Sequence, residues 1–479
     1  MNFCVYTALA FRVKHMARAY DSRGRITGVS TSLPATLHQG SIALNSQDPW
    51  AYKELGAHLN TTTFLWHEPG ECTFAAFGEA IVAPDLDAEA LGQWCSKLCE
   101  QVNEEVLDGS LTREDALVFL SVMGFDTREV SRVTGEVWAG WSRGMTWVPR
   151  VLIRSRESGC EALVTGEANE IQHWLNKIKA FDAQRRPVDP PTPKRGYHTL
   201  DTCGERDAWT ERVSALVDGM SSPDPTFSKV VLARAQQLEA APGRRFDPLT
   251  TAWHLRRQQP ECVSFAWQHE DGSTFIGATP ELLCRLEGER LETTALAGTA
   301  PRGRSPGEDQ ALATTLAATT KERHEHQLVV EAILETLREL GAKITASRTP
   351  RIRQLHDVQH LETPIGGTLP KERTLLEAVS ALHPTPAVGG VPRDAALTWL
   401  AQHEGLDRGH YAAPIGWFEG SGKGAMYVAL RSVFLHADRA WAFAGAGIVA
   451  DSKPESEWRE TNHKLRAIRS ALTTVEAKS

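Results

Sequence analysis

Along the chain, stretches with strand-like alternation are interspersed with stretches of helical spacing, in irregular order. The run Phe227 to Leu238, FSKVVLARAQQL, is rich in β-branched and apolar residues and predicts a strand with Lys229, Val231 and Ala233 on one face. Ala425 to Leu435 and Ala440 to Val449 predict two further strands, joined into a hairpin by His436-Ala437-Asp438-Arg439. A helix is predicted around Ala88 to Val106. A second runs from about Lys321 to Leu340 and is stopped by Gly341. A third starts near Pro454, where proline suits the first turn, and runs to about Leu472. Long hairpins mixed with helices predict an α+β class rather than a doubly wound sheet.

The two C-terminal helices carry acids where the pattern places the core. In the first, the apolar stripe is Leu328, Val329, Ala332, Ile333, Leu337 and Leu340, and extending it backwards by helical spacing lands on Glu325 and Glu322. In the other, Glu457, Thr461, Lys464, Ile468 and Leu472 share one stripe, with Glu460 on its flank. Either pair alone also suits an exposed helix face, where Glu near the start complements the dipole. Two helices that each direct a Glu pair inward are a different matter. Carboxylates meeting in a low-dielectric site repel unless protonated or bound to a cation. Oxygen ligands without a nearby His/Cys cluster favour Mg²⁺ over zinc.

Composition narrows the function classes. The chain has 479 residues, room for two or three domains or one large one, and a net charge of −8, which argues against a nucleic-acid binder. Its eight cysteines form no CxxC pair, so neither a zinc site nor a disulfide framework is expected, and a cytoplasmic setting fits best. No apolar run approaches the roughly 18 residues of a membrane span. The first eleven residues read as an opening strand or an over-long start rather than a signal peptide. The proline-rich RRPVDPPTPKRG, Arg185 to Gly196, predicts a linker between residues 1–200, poor in chemical signals, and residues 201–479, which hold the motifs.

Two residues there suit proton transfer. A Lys on a strand is commonly an edge residue pointing to water, but a buried Lys229 would be uncharged near neutral pH, as a general base must be. Glu281, after IGATP and before LLC, reads either as a surface acid at a strand end or, if buried, as a carboxyl kept protonated and able to donate.

Taken together the motifs resemble the chorismate-utilising enzymes over roughly Trp209 to Leu472. KVVLAR at Lys229, IGATPELL from Ile276, ALAGT from Ala295, KERHEH from Lys321, RGHYAAPIGW from Arg408 and GAGIVADSKPESEWRETNHKL from Gly445 occur in that family's order. The resemblance implies one large domain with two β-sheets flanked by helices and the site in a central cleft, with residues 1–200 as its variable N-terminal part. It implies Glu325 and Glu460 as direct Mg²⁺ ligands, with Glu322 and Glu457 acting through water. Arg431 and Tyr411 would grip the enolpyruvyl carboxylate of chorismate, and Arg suits this because its planar fork matches a carboxylate. Gly298, Gly445 and Gly447 would bring backbone close to the carboxylates, Thr299 and Lys464 would contact the ring carboxylate, and His360 would lie near the ring.

Within the family, Lys at 229 resembles the water-using isochorismate and salicylate synthases. Ala297 stands where aminodeoxychorismate synthases have a nucleophilic Lys, and no amidotransferase partner is expected. Ala295-Leu296-Ala297-Gly298 and the HPTPAVGG loop from His383 are closer to isochorismate synthases. The implied reaction is water addition at C2 of chorismate with loss of the 4-hydroxyl, Lys229 acting as base and Glu281 as acid. A salicylate synthase or a non-catalytic chorismate-binding paralogue is the alternative. Whether the product feeds menaquinone, a siderophore or salicylate is left open.

Overall fold

In the computed structural model the described residues are 204–477 without a break and, before them, 19–20, 26–27, 37–100, 102–103, 117–125, 136–156, 159–185, 192 and 196–200. The expected opening strand at 1–11 and most of the proline-rich linker lie outside them. The helix expected over Ala88 to Val106 spans Ala88–Glu100 and is followed by a short strand, Val102–Asn103, which pairs in parallel with Leu37–His38.

Two helices fold as their patterns require. Thr320–Glu339 ends in a Schellman turn: Ala342 N–H donates to Leu337 O and Gly341 N–H to Arg338 O, with Gly341 at φ +84°. Pro454–Ala471 opens with its proline in the first turn. On the first of these, Val329, Ile333 and Leu337 are buried, each contributing about 1.5–3 kcal/mol. That sum exceeds the several kcal/mol that burying one ion costs, so the stripe draws Glu325, one turn before it, inward.

The α+β class holds, but the two expected sheets are one. Among the described residues, twenty-one strands form a single hydrogen-bonded network. Followed strand to strand, it runs from Val358–Thr368 to Arg290–Pro301, Leu282–Glu287, Gly424–Val428 and Pro414–Glu419. It continues through Val118–Val122, Met145–Arg156, Cys72–Val82 and Thr63–Glu68. From there it returns by Val263–Gln268, Thr274–Thr279, Ser432–His436 and Arg439–Ile448 to Lys229–Ala240. Strands from both sides of residue 200 thus belong to one sheet. Its two faces are both covered. Phe64 and Trp66 pack into one core while Leu65, between them, packs into the other. Twist accumulated over so many strands curls the sheet, and the two ends of this walk border the same cavity.

One predicted strand is cut. Instead of Ala425–Leu435 there are Gly424–Val428 and Ser432–His436, because the chain changes partners between them. The break is a tight turn in which Leu430 N–H donates to Val428 O and Arg431 adopts φ +47°, a costly conformation for a residue with a Cβ. The following hairpin turns at Ala437-Asp438, between His436 and Arg439, as the sequence predicts.

Candidate active site

A cavity of about 760 Å³, its mouth included, lies between the ends of the curled sheet. Gly298, Thr299 and His360 come from one end, and Val231, Gly445 and Gly447 from the other. Glu281, Glu325, Arg408, Tyr411, Arg431, Glu460 and Lys464 add polar groups to the wall. Of the residues expected from sequence, Lys229, Glu322 and Glu457 do not line it.

At one end four carboxylates meet three lysines. Lys229 Nζ, fully buried, is 3.0 Å from Glu325 Oε1. Lys321 Nζ is 2.8 Å from Glu457 Oε1 and 3.5 Å from Glu322 Oε1. Lys464 Nζ is 2.8 Å from Glu460 Oε1 and donates to Gly445 O at 2.9 Å. The Thr299 amide holds Glu322 Oε2 at 3.0 Å. Burial opposes ionisation of Glu325, but Lys229, Lys321 and Lys464 outweigh it and hold this carboxyl below its ordinary range. Glu322 is pushed up by burial and by Glu325 and Glu460, and Glu457 by burial and by Glu460. Such crowding of oxygen donors suits a hard divalent cation such as Mg²⁺. Among the described residues, however, no three acid, His or Cys side chains converge closely enough to coordinate an ion as they stand.

Two of the lysines are engaged within the protein. Lys464 Nζ binds the Gly445 carbonyl as well as Glu460, which leaves one of its three protons for a further acceptor. Lys229, expected uncharged, stands in ion-pair contact with Glu325. Gly447 is where side chains need room, since a Cβ there would collide with Glu325 Oε1 and crowd Lys229 Cε at 3.1 Å.

Glu281 has the opposite surroundings. Its backbone is pinned by Thr279 Oγ1 and Val428 N–H. Burial raises its carboxyl to about 7 despite the opposing pull of Lys229 and Lys464, so near neutral pH much of it carries a proton.

The far end holds Arg431, 8% exposed, and among the described residues no carboxylate pairs with it. Its partners are uncharged. Nη2 faces His360 Nε2 at 3.2 Å and Nη1 faces Gln259 Oε1 at 3.4 Å and Cys262 Sγ at 3.8 Å. Arg can only donate, so His360 accepts at Nε2 and carries its proton on Nδ1, 3.2 Å from Gly298 O and from Thr299 Oγ1. Burial, then Arg431, keeps His360 neutral, well below the usual imidazole range. Tyr411 stacks on Phe443, and burial lifts its hydroxyl to about 12.

Some participants escaped the sequence reading. Lys321 lies in the quoted KERHEH and could have been found by asking what balances the acids. Gln259, just past helix Pro248–Gln258, and Asp357 have no motif to mark them. Arg408 lines the cavity but is fully engaged by Glu404 and by the carbonyls of Val231 and Val388.

Comparison with known proteins bears on this geometry. Residues 27–473 match the model of the chorismate binding enzyme family. The salicylate biosynthesis isochorismate synthase of Pseudomonas aeruginosa is 44% identical over 293 residues, 61% of this chain and 60% of that protein. The match therefore spans three fifths of that relative's length. The isochorismate synthase MenF of Bacillus subtilis is 30% identical over 453 residues, 91% of this chain and 94% of the relative. The solved structure of MenF, the menaquinone-specific isochorismate synthase from Escherichia coli, superposes with a TM-score of 0.72 at 25% identity, over 92% of this chain and 96% of that one. No described helix is long and apolar enough to cross a membrane. With sheet, cavity and sequence matches in agreement, the chain belongs to the chorismate-binding enzymes.

Proposed function

We propose that this protein is a Mg²⁺-dependent isochorismate synthase acting on chorismate. The observation that carries the reading is one cavity in which the buried cation Arg431, paired with no described carboxylate, and Glu281, whose carboxyl burial pushes up, share a wall with two inward carboxylates, Glu325 and Glu460. A ring bearing two carboxylates and a leaving hydroxyl fits those charges. The family membership and the names of the relatives above point the same way.

Arg431 and Tyr411, both lining the cavity, bind the enolpyruvyl carboxylate. Thr299 and Lys464 serve the ring carboxylate. Glu325 and Glu460 would hold Mg²⁺ with Glu322 and Glu457 behind them, and the bound cation would supply positive charge for the ring carboxylate. Lys229, which stands behind Glu325, must first part from that carboxylate and release its ammonium proton to solvent; as the free amine it then accepts a proton from water as the water oxygen bonds to C2. The ring double bonds shift, the C4–O bond breaks, and Glu281 protonates the departing hydroxyl. One hydroxyl enters and one leaves, so the reaction is a nearly balanced isomerisation and reversible.

The test is incubation with chorismate, with and without Mg²⁺, and identification of the products. Isochorismate formed only with the metal is expected. Salicylate plus pyruvate would select the salicylate-synthase reading, and binding without turnover a non-catalytic one. Lys229→Ala should abolish water addition while leaving chorismate binding measurable by calorimetry; full turnover by that variant would remove Lys229 from its role.

A further inference from the structure

The partners of Arg431 form a closed chain. Gln259, 2% exposed, presents Oε1 to Arg431 Nη1, and its Nε2 donates to Asp357 Oδ2 at 2.9 Å. Its backbone is fixed on both sides, N–H to Leu255 O and C=O from Cys262 N–H. Asp357 directly precedes the strand Val358–Thr368 that carries His360, the other group bound to the guanidinium.

An amide has a donor end and an acceptor end, and Asp357, which can only accept when ionised, decides which way this one points. Turned as it is, the amide brings a neutral oxygen to Arg431 while the nearby carboxylate is kept one residue away. A carboxylate touching Arg431 directly would form an internal ion pair and compete with any anion entering the cavity.

We infer that Gln259 and Asp357 are positioning residues for Arg431, insulating its guanidinium from protein carboxylates so that its charge remains available to a carboxylate of the substrate. The inference rests on the isochorismate synthase reading for the identity of that substrate. Because the role is electrostatic, it orders the variants differently from a structural one. Gln259→Glu keeps size and shape but sets a negative charge on Arg431, whereas Gln259→Leu removes both hydrogen bonds and adds none.

The experiment is steady-state kinetics on chorismate with Mg²⁺ for wild type, Q259E, Q259L and the double variant Q259E/D357N, with melting temperatures alongside. Expected is a rise in KM of about tenfold or more for Q259E, of about threefold or less for Q259L, and a smaller change in kcat for both. The double variant gives the carboxylate introduced at position 259 a donor in place of a second carboxylate, so it should melt near wild type yet keep the high KM. It carries the test should Q259E alone fail to fold. A KM for Q259L equal to or above that of Q259E overturns the inference. So does a double variant with wild-type KM, which would trace the defect to repulsion from Asp357. Wild-type turnover with an unchanged KM in Q259E sinks the inference alone; a wild type that neither binds nor converts chorismate sinks the functional reading, and with it the substrate carboxylate assigned to Arg431.

Discussion

The two ends of the cavity handle charge in opposite ways. At the carboxylate end, Glu322, Glu325, Glu457 and Glu460 are accompanied by Lys229, Lys321 and Lys464, so the protein supplies most of its own counter-charge. At the arginine end the cation is as deeply buried, yet its neighbours are an amide, an imidazole and a thiol. A buried charge costs several kcal/mol to desolvate wherever it lies. The first end offsets that cost within the fold. The second leaves it to whatever anion binds. A single substitution should therefore cost more at the arginine end than at the end where acids and lysines offset one another.

The largest expected effect tests this directly. Arg431→Ala should lower kcat/KM for chorismate by about three orders of magnitude, mostly through KM, as expected for truncating one member of a desolvated charge pair. An unchanged KM in steady-state kinetics would place the substrate carboxylate elsewhere.

Next comes the buried acid Glu281. Glu281→Gln should reduce turnover by about two orders of magnitude with chorismate affinity retained, within the usual range for a general acid. In the wild type, activity should fall as pH rises through about 7, where Glu281 loses its proton. The same group affects stability. Its folded-state pKa lies above the unfolded value, so the stability it contributes is complete below the unfolded value of 4.5 and is lost as pH rises to about 7. Over that window the loss is about 3 kcal/mol, and Glu281→Gln should remove it, flattening the fall in unfolding free energy between those pH values.

The smallest effect belongs to the compensated end. Lys321→Met should destabilise the metal-free protein by about 1–3 kcal/mol by leaving Glu457 without its partner. Mg²⁺ should recover most of the lost melting temperature, since a ligand that binds only the folded state stabilises it. A deficit untouched by Mg²⁺ would show that Lys321 is not balancing acids that bind the cation.

Much of this was legible in the chain. The helical stripe running back from Leu337 through Ile333 and Val329 reaches Glu325, and the structure buries all four. Gly341 stops its helix as expected. Period-2 alternation placed Lys229 and Val231 on one face, and both are buried. These features are local: each depends on residues within one or two turns, or within one strand. The misreadings have long-range causes. Ala425 to Leu435 reads as one strand because its composition is uniform, and only the change of partners, from Pro414–Glu419 and Leu282–Glu287 to Thr274–Thr279, breaks it at Arg431. Two sheets were expected where the curl joins one.

The sequence by itself determined the elements, the inward faces of the two glutamate helices and the family to which they belong, because periodicity and motif order are written in neighbouring residues. Only the tertiary structure decided which charges are compensated. Lys321 meets Glu457 across 136 positions, and Arg431 meets Gln259 across 172. Contacts between residues so far apart depend on how the sheet curls, and no local pattern encodes that.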